Sequence, residues 1–212
     1  MKILLVAGGD PNHWPAFSTE FEKIIGIDRG NLFLLRQGIV PDLAIGDFDS
    51  LNEDEKKEVF DAVDEVLTSP AEKDDTDTQL ALVKAFERFP DAEVTLIGAT
   101  GGRLDHLLAN LWLGVEPRFF PFLSQIKIAD QGNVVSYLSP GKYQIKKKDR
   151  MKYVAFCCLT PVTKLSLKNL KYELAEVDFL QPTSLASNEF LEGKAEVSFS
   201  SGMIAVIQSR DV

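Results

Sequence analysis

Soft metal ligands are scarce in this chain: two cysteines, two histidines and three methionines among 212 residues. Cys157 and Cys158 are neighbours within the apolar stretch 154–159. Adjacent thiols give neither a disulfide framework nor a zinc-type spacing, so they read as core residues of a cytoplasmic protein. With only His13 and His106 available, the chain argues against chemistry built on several histidines. No apolar run approaches the ~20 residues that span a bilayer. Residues 3–7 are apolar but end at Gly8-Gly9-Asp10, too short for the core of an export signal, so no membrane partner is expected. Positive charge is also in deficit, with 23 Lys and Arg against 32 Asp and Glu, a net −9. A general nucleic-acid surface is therefore not expected, because such affinity comes mainly from basic neutralisation of phosphates. A nucleotide is still compatible with that charge where a metal and local arginines or lysines handle its phosphates.

What is present is an ordinary globular balance, 45% hydrophobic and 26% charged, on a length that suits one large domain or two small ones. The first half alternates short apolar runs with helical patterns. Residues 3–7, 24–27, 43–45, 65–67 and 94–97 read as strands, and residues 31–37, 53–62 and 77–89 as helices. This order, with nearly continuous apolar strands, predicts an α/β domain on a mainly parallel sheet covered on both faces. Leu104, Leu107, Leu108 and Leu111 then form a helical stripe. Beyond Trp112 the helix is broken around Pro117 and Pro121, and from Gln125 the pattern alternates in strand fashion. Turn signals at Gly132-Asn133 and Pro140-Gly141 and short β segments at 153–159, 164–167, 196–199 and 203–207 predict a small β-sandwich. The expected boundary lies at 138, with residues 1–138 and 139–212 as the two domains. The basic run Lys146-Lys147-Lys148, with Arg150 and Lys152, reads as a solvated turn between strands rather than a phosphate contact.

Open sheets of this kind bind ligands outside the carboxyl ends of their strands, and acidic residues gather at such ends here. Asp28 follows the strand at 24–27. Leu43-Ala44-Ile45 runs into Gly46-Asp47-Phe48-Asp49-Ser50, where side chains two apart on an extended segment share a face, so Asp47 and Asp49 are expected to project together. Paired carboxylates repel unless a cation lies between them, and a hard ion such as Mg²⁺ takes these ligands while leaving positions for substrate phosphates. Ser50-x-x-Glu53 also fits a helix-capping box, which accounts for Ser50 and Glu53 but not for Asp47. Lys73-Asp74-Asp75-Thr76-Asp77-Thr78-Gln79 holds a second capping pattern at Thr76 and Gln79. Its three aspartates exceed what a cap needs, and where this turn meets Asp47 and Asp49 it would complete an oxygen cage for one or two Mg²⁺ ions. Gly98-Ala99-Thr100-Gly101-Gly102-Arg103-Leu104-Asp105-His106 joins a strand to a helix. Glycines there let main-chain N–H groups approach an anion at the positive end of the helix dipole, with Arg103 placed to meet a phosphate. Neither a Walker A loop nor a Gly-x-Gly-x-x-Gly motif is present. Asp105, off the leucine stripe, either complements the helix dipole or faces the site.

Taken with Asp28-Arg29-Gly30, Ser187-Asn188-Glu189-Phe190 and Ser200-Ser201-Gly202, these segments resemble the thiamine pyrophosphokinase family over nearly the whole chain. The resemblance implies an α/β ATP- and Mg²⁺-binding catalytic domain followed by a β-sandwich that binds thiamine. It also implies a homodimer with thiamine held between subunits. On the same basis Asp47, Asp49 and Asp77 are expected to hold Mg²⁺ and, with Asp105, to be catalytic. Asp28, Lys73, Asp75, Thr100, Gly101, Gly102, Arg103 and His106 are expected around the nucleotide. Ser187, Asn188, Ser201 and Met203 are expected on the thiamine side, Met203 standing near the position of a tryptophan that can stack on the vitamin in some members. Some members carry glycine in place of Arg29. The implied reaction transfers the β,γ-pyrophosphoryl group of ATP to the thiamine hydroxyl and releases AMP. Two other readings stay open on the residues alone. One is a Mg²⁺-dependent phosphohydrolase with Asp47 as nucleophile, although that motif normally ends the first strand of its domain and here follows the third. The other is a non-catalytic nucleotide or vitamin sensor using the same cleft.

Overall fold

Ile3, Leu4, Leu5 and Val6 of β1 (Lys2–Val6) are all buried, as expected for a strand covered on both faces, and the first half of the chain is arranged around them. In the computed structural model, which describes residues 1–16, 21–69 and 74–211, the chain divides into two units. The first comprises Met1–Asn110 with Gln125–Gln131, the second Leu111–Ser124 with Gly132–Val212.

In the first unit, β1 pairs in parallel with β2 (Lys23–Ile27) and β5 (Glu93–Ile97). β2 continues to β3 (Leu43–Gly46), and β3 to β4 (Val66–Thr68), while β5 pairs with β6 (Ile126–Ala129). The order β6-β5-β1-β2-β3-β4 is thus parallel throughout. Helices α1 (Arg29–Arg36), α2 (Glu53–Ala62) and α3 (Asp77–Arg88) connect the strands. They bury Leu32 and Leu34 from α1, Val59 from α2, and Ala81, Leu82, Ala85 and Phe86 from α3; the α3 set lies on one helical face, whereas Leu32 and Leu34 enter separate apolar clusters. The expected capping box at Thr76 and Gln79 is present. The one expected at Ser50 is shifted by two residues: Asn52 caps α2, with Glu55 answering its main-chain N–H. α4 (Leu104–Trp112) follows β5, and its stripe is not core, since Leu104 and Leu108 are 74% and 44% exposed.

The second unit is all antiparallel. Strands β7 (Asn133–Leu138), β9 (Tyr153–Cys158), β12 (Thr183–Asn188) and β14 (Ile204–Ser209) lie in the order β12-β9-β14-β7. Strands β8 (Gly141–Lys146), β10 (Val162–Lys168), β11 (Leu174–Phe179) and β13 (Lys194–Phe199) form a second sheet, β11-β10-β13-β8. Their inward residues, among them Val154, Phe156, Cys158, Leu165, Leu167, Val197 and Phe199, make one core, the interdigitated interior of a sandwich. The basic run bridges β8 and β9, as expected of a solvated turn. The boundary expected at 138 falls inside this unit, because β7 pairs along its length with β14. β6, a few residues earlier, instead completes the parallel sheet. Ser187 and Asn188 end β12; the weak apolar alternation of β11 and β12 hid both strands.

Candidate active site

Each parallel strand of the first unit delivers its following loop to the same end of the sheet. Asp28 stands directly after β2. Its N–H still donates to the Ile45 carbonyl at 2.9 Å, yet its backbone turns to φ 46°, ψ −121°. Asp28 occupies the N-cap position of α1 but makes no side-chain cap. Its carboxylate instead accepts a hydrogen bond from Phe48 N–H at 3.3 Å and joins those of Asp47 and Asp77, with one carboxylate oxygen of each lying within 4.8 Å of the others. Gly46 is required for this approach: a Cβ there would stand 1.9 Å from Asp28 Oδ1. Asp77 is reached from the start of α3, where Ser69 Oγ donates to it at 3.1 Å.

Three half-buried carboxylates this close repel one another, and burial adds a penalty for charge. Burial, first, and then the Asp77 charge push the Asp28 carboxyl from its ordinary 3.8 up to about 7. A hard divalent cation is what such oxygen donors fit, and an ion of the Mg²⁺ kind would leave its remaining positions to water and phosphate oxygens.

Asp49 is not part of this group. The extended geometry expected for residues 47–49 fails because Phe48 adopts a left-handed φ of 57°. That turn buries the Phe48 ring, edge-on to Phe60 at 5.1 Å, and directs Asp49 elsewhere. The Asp49 N–H donates back to Asp47 Oδ1 at 3.0 Å, and its side chain lines the adjoining cleft. Asp28, expected around the nucleotide, takes its place among the three carboxylates.

The cleft, ≈ 410 Å³, is walled by Gly8, Gly9, Arg29, Asp49, Ser50, Thr78, the loop after β5 and the start of α4. Its glycine edges are fastened together: Gly9 N–H donates to the Gly98 carbonyl at 2.8 Å, and Trp14 Nε1 donates to the Gly9 carbonyl at 3.1 Å. Thr100, Gly102, Arg103 and His106, expected around the nucleotide, are among the residues that line the cleft. Gly101 stands beside His13, and Thr100 Oγ1 donates to Asp130 at 2.8 Å. Asp105 is outside the carboxylate group; it pairs with Arg103 at 2.6 Å, which holds its carboxyl down at about 2. Asp75 is half-buried in the turn before α3, and Lys73 lies outside the described residues. Sequence reading missed Gly8, Gly9, Ser50, Thr78 and Asn110 as lining residues. The strand-end rule applied to β1 would have found the first two.

In the second unit, Met203 is buried against a mostly apolar cavity of ≈ 350 Å³ shared with Val115, Phe120, Leu123, Ser139, Pro140, Thr160 and Gly202. The other expected thiamine residues do not line it. Ser201 Oγ lies 2.6 Å from Thr163 Oγ1, and Ser187 has a left-handed φ of 61°. Asn188 is buried, and its carboxamide is committed to the main chain. Nδ2 donates to the Tyr172 carbonyl, and Oδ1 accepts from Tyr172 and Glu189 N–H, at 2.7, 3.0 and 2.9 Å.

Comparison with known proteins gives the same outline. Residues 16–124 match the thiamin pyrophosphokinase catalytic domain and residues 142–204 its vitamin B1 binding domain. A thiamine pyrophosphokinase of Bacillus subtilis (strain 168) is 36% identical over 217 residues, 99% of each chain. The crystal structure of a thiamin pyrophosphokinase family protein from Enterococcus faecalis is 52% identical with a TM-score of 0.97, each chain covered completely. That of the B. subtilis enzyme reaches 0.86 at 33% identity, again with full coverage. Matched end to end in sequence and in fold, with both domain models in order, the chain belongs to the thiamine pyrophosphokinase family.

Proposed function

We propose that this chain transfers the pyrophosphoryl group of Mg-ATP to the hydroxyl of thiamine, giving thiamine diphosphate and AMP. The observation that supports this reading best is the meeting of Asp28, Asp47 and Asp77 at the ends of separate elements, beside a cleft carrying Arg29 and Arg103. Asp28, Asp47 and Asp77 would hold Mg²⁺, with Asp49 on the cleft wall facing the nucleotide. When bound, the ion supplies charge neutralisation to the phosphate oxygens. The chain's own contribution is positional. Main-chain N–H groups of the loop after β5 and the Arg103 guanidinium receive phosphate oxygens, and Thr100 and His106 flank them. The thiamine hydroxyl attacks the β-phosphorus in line, its proton leaves to a carboxylate or water, and AMP departs.

Thiamine is assigned to the second unit, where the vitamin-binding match encloses Ser187, Asn188, Ser201 and Met203. Met203 and its cavity offer an apolar wall to the vitamin's rings, and the Ser187 and Ser201 hydroxyls offer polar contacts. Asn188, its carboxamide fully engaged, acts through the loop it holds. We further propose a homodimer. Its support is the pair Leu104 and Leu108 on α4, one turn apart and 74% and 44% exposed, an apolar patch of the kind that commonly marks an association surface. A cytoplasmic location agrees with the two free thiols; among the described residues no helix is long and apolar enough to cross a membrane.

One incubation tests the activity: Mg-ATP with thiamine, assayed for AMP and thiamine diphosphate in equal amounts. ATP consumption without thiamine, yielding phosphate and a labelled Asp47, would replace this reading with hydrolysis. Binding of both substrates without AMP would replace it with a sensor. Sedimentation showing a fully active monomer would remove the dimer.

A further inference from the structure

Asn31 is fully buried near the start of α1, and its Oδ1 has no hydrogen-bond partner among the described residues. An orphaned buried acceptor lowers stability, and a leucine of similar size would avoid it. The other end of the same carboxamide shows what the group does. Asn31 Nδ2 donates to the Asp28 carbonyl at 3.0 Å, and Asn31 N–H donates to that same oxygen at 3.1 Å. The packing around the side chain admits little else. A Cβ on Gly26, the facing residue of β2, would stand 1.9 Å from Asn31 Oδ1 and 3.0 Å from Asn31 Cα. The unpaired oxygen is therefore pressed against bare backbone, while the donor end grips one specific carbonyl.

That carbonyl belongs to the residue whose backbone departs furthest from ordinary geometry at the carboxylate group. Asp28 has φ 46° and ψ −121°, a conformation that costs a non-glycine residue energy and persists only where neighbours hold it. Its N–H is held by Ile45, and its carbonyl accepts from both the main chain and the carboxamide of Asn31. Fixing both peptide planes fixes the Cα–Cβ direction, and with it the approach of the carboxylate to Asp47 and Asp77. We infer that Asn31 is a positioning residue for the carboxylate triad: its carboxamide clamps the Asp28 carbonyl and so aims the Asp28 side chain at the cation. This rests on the reading of Asp28, Asp47 and Asp77 as a metal site.

The test is Mn²⁺ binding, followed by the paramagnetic signal of free ion, on the full chain and on Asn31→Leu. Leucine keeps the volume and removes both the clamp and the orphaned oxygen. The expected result is a Mn²⁺ dissociation constant raised about fivefold, the size of effect that one retained and one lost hydrogen bond allows, with a melting temperature in EDTA unchanged or higher. In turnover the metal concentration for half-maximal rate should rise by the same factor while kcat at saturating metal is nearly kept. Should Asn31→Leu not fold, Asn31→Ala serves for the same comparison. Equal Mn²⁺ affinity in the variant and the parent chain, or a lowered melting temperature with unchanged affinity, would reduce Asn31 to a helix-start fastening and overturn the inference. Failure of the parent chain itself to bind Mn²⁺ would instead overturn the metal site, and the inference with it.

Discussion

Replacing Asp28 by Asn should make the metal-free protein more stable at alkaline pH while removing its activity. The carboxyl is raised from 3.8 to about 7, so the folded state holds this proton more tightly than the unfolded chain does. The associated stability is fully present below about 3.8 and is lost as pH rises through about 7. A shift of about three units at roughly 1.4 kcal/mol each sets a ceiling near 4 kcal/mol. Solvent reaching a partly open site reduces this to about 2 kcal/mol. Asn keeps the acceptor for Phe48 N–H, donates to Asp77 in place of the shared proton, and is neutral at every pH. In EDTA the Asp28→Asn variant and the parent chain should therefore melt alike only near pH 4, the gap opening steadily from there to about pH 7. At pH 8 the variant should melt higher, by about 4–8 °C at the usual 2–4 °C per kcal/mol for a chain of this size. Millimolar Mg²⁺ should close the gap by raising the parent alone, and the variant's turnover should fall by about 100-fold or more. Differential scanning fluorimetry across pH 4–8, with and without Mg²⁺, reads all of this. A variant melting at or below the parent at pH 8 in EDTA would refute the account of mutual repulsion.

Other outcomes follow from the same geometry. Asp47→Asn should lower turnover by about 10²-fold or more with little change in melting temperature; near-normal rates at saturating Mg²⁺ would exclude a metal role for Asp47. Arg103→Ala should raise the KM for ATP about tenfold. It should also return the Asp105 carboxyl, now held at about 2, toward the ordinary carboxylate range, as read by carboxyl ¹³C titration. Asn188→Ala removes three hydrogen bonds to main chain and should destabilise the protein by about 2–3 kcal/mol. Circular-dichroism melts check it, and unchanged stability with a lost thiamine response would instead make Asn188 a direct ligand.

Much of this site could be read before any coordinates, because strand ends in a parallel sheet are predictable from apolar runs and Asp28, Asp47 and the loop after Ile97 follow such runs directly. The turn before α3 and its capping pair Thr76 and Gln79 were equally legible from local pattern, while the choice of Asp77 among its aspartates came from the family resemblance. What escaped was set by single backbone torsions. The left-handed Phe48 turns Asp49 out of the triad, a move that extended-strand periodicity cannot express. The positive φ of Asp28 brings that residue in, and it depends on contacts from Ile45 and Asn31, 17 and three positions away by number. In the sandwich, the buried position of Asn188 was hidden because β12 carries little apolar alternation, so a structural amide and a ligand amide look alike in sequence. The leucine row of α4 had the right helical spacing, but spacing alone does not say what covers it.

The path of the chain between its two units has a bearing on how such a protein is cut or recombined. It leaves the first unit after Asn110, returns for Gln125–Gln131, and leaves again. A single scission therefore cannot yield two whole pieces. Ending at 110 strips β5 of its outer neighbour, while starting at 139 deprives β14 of β7. Catalytic and vitamin-binding halves are stitched rather than strung, and exchanging one between relatives would demand three coordinated splices instead of one.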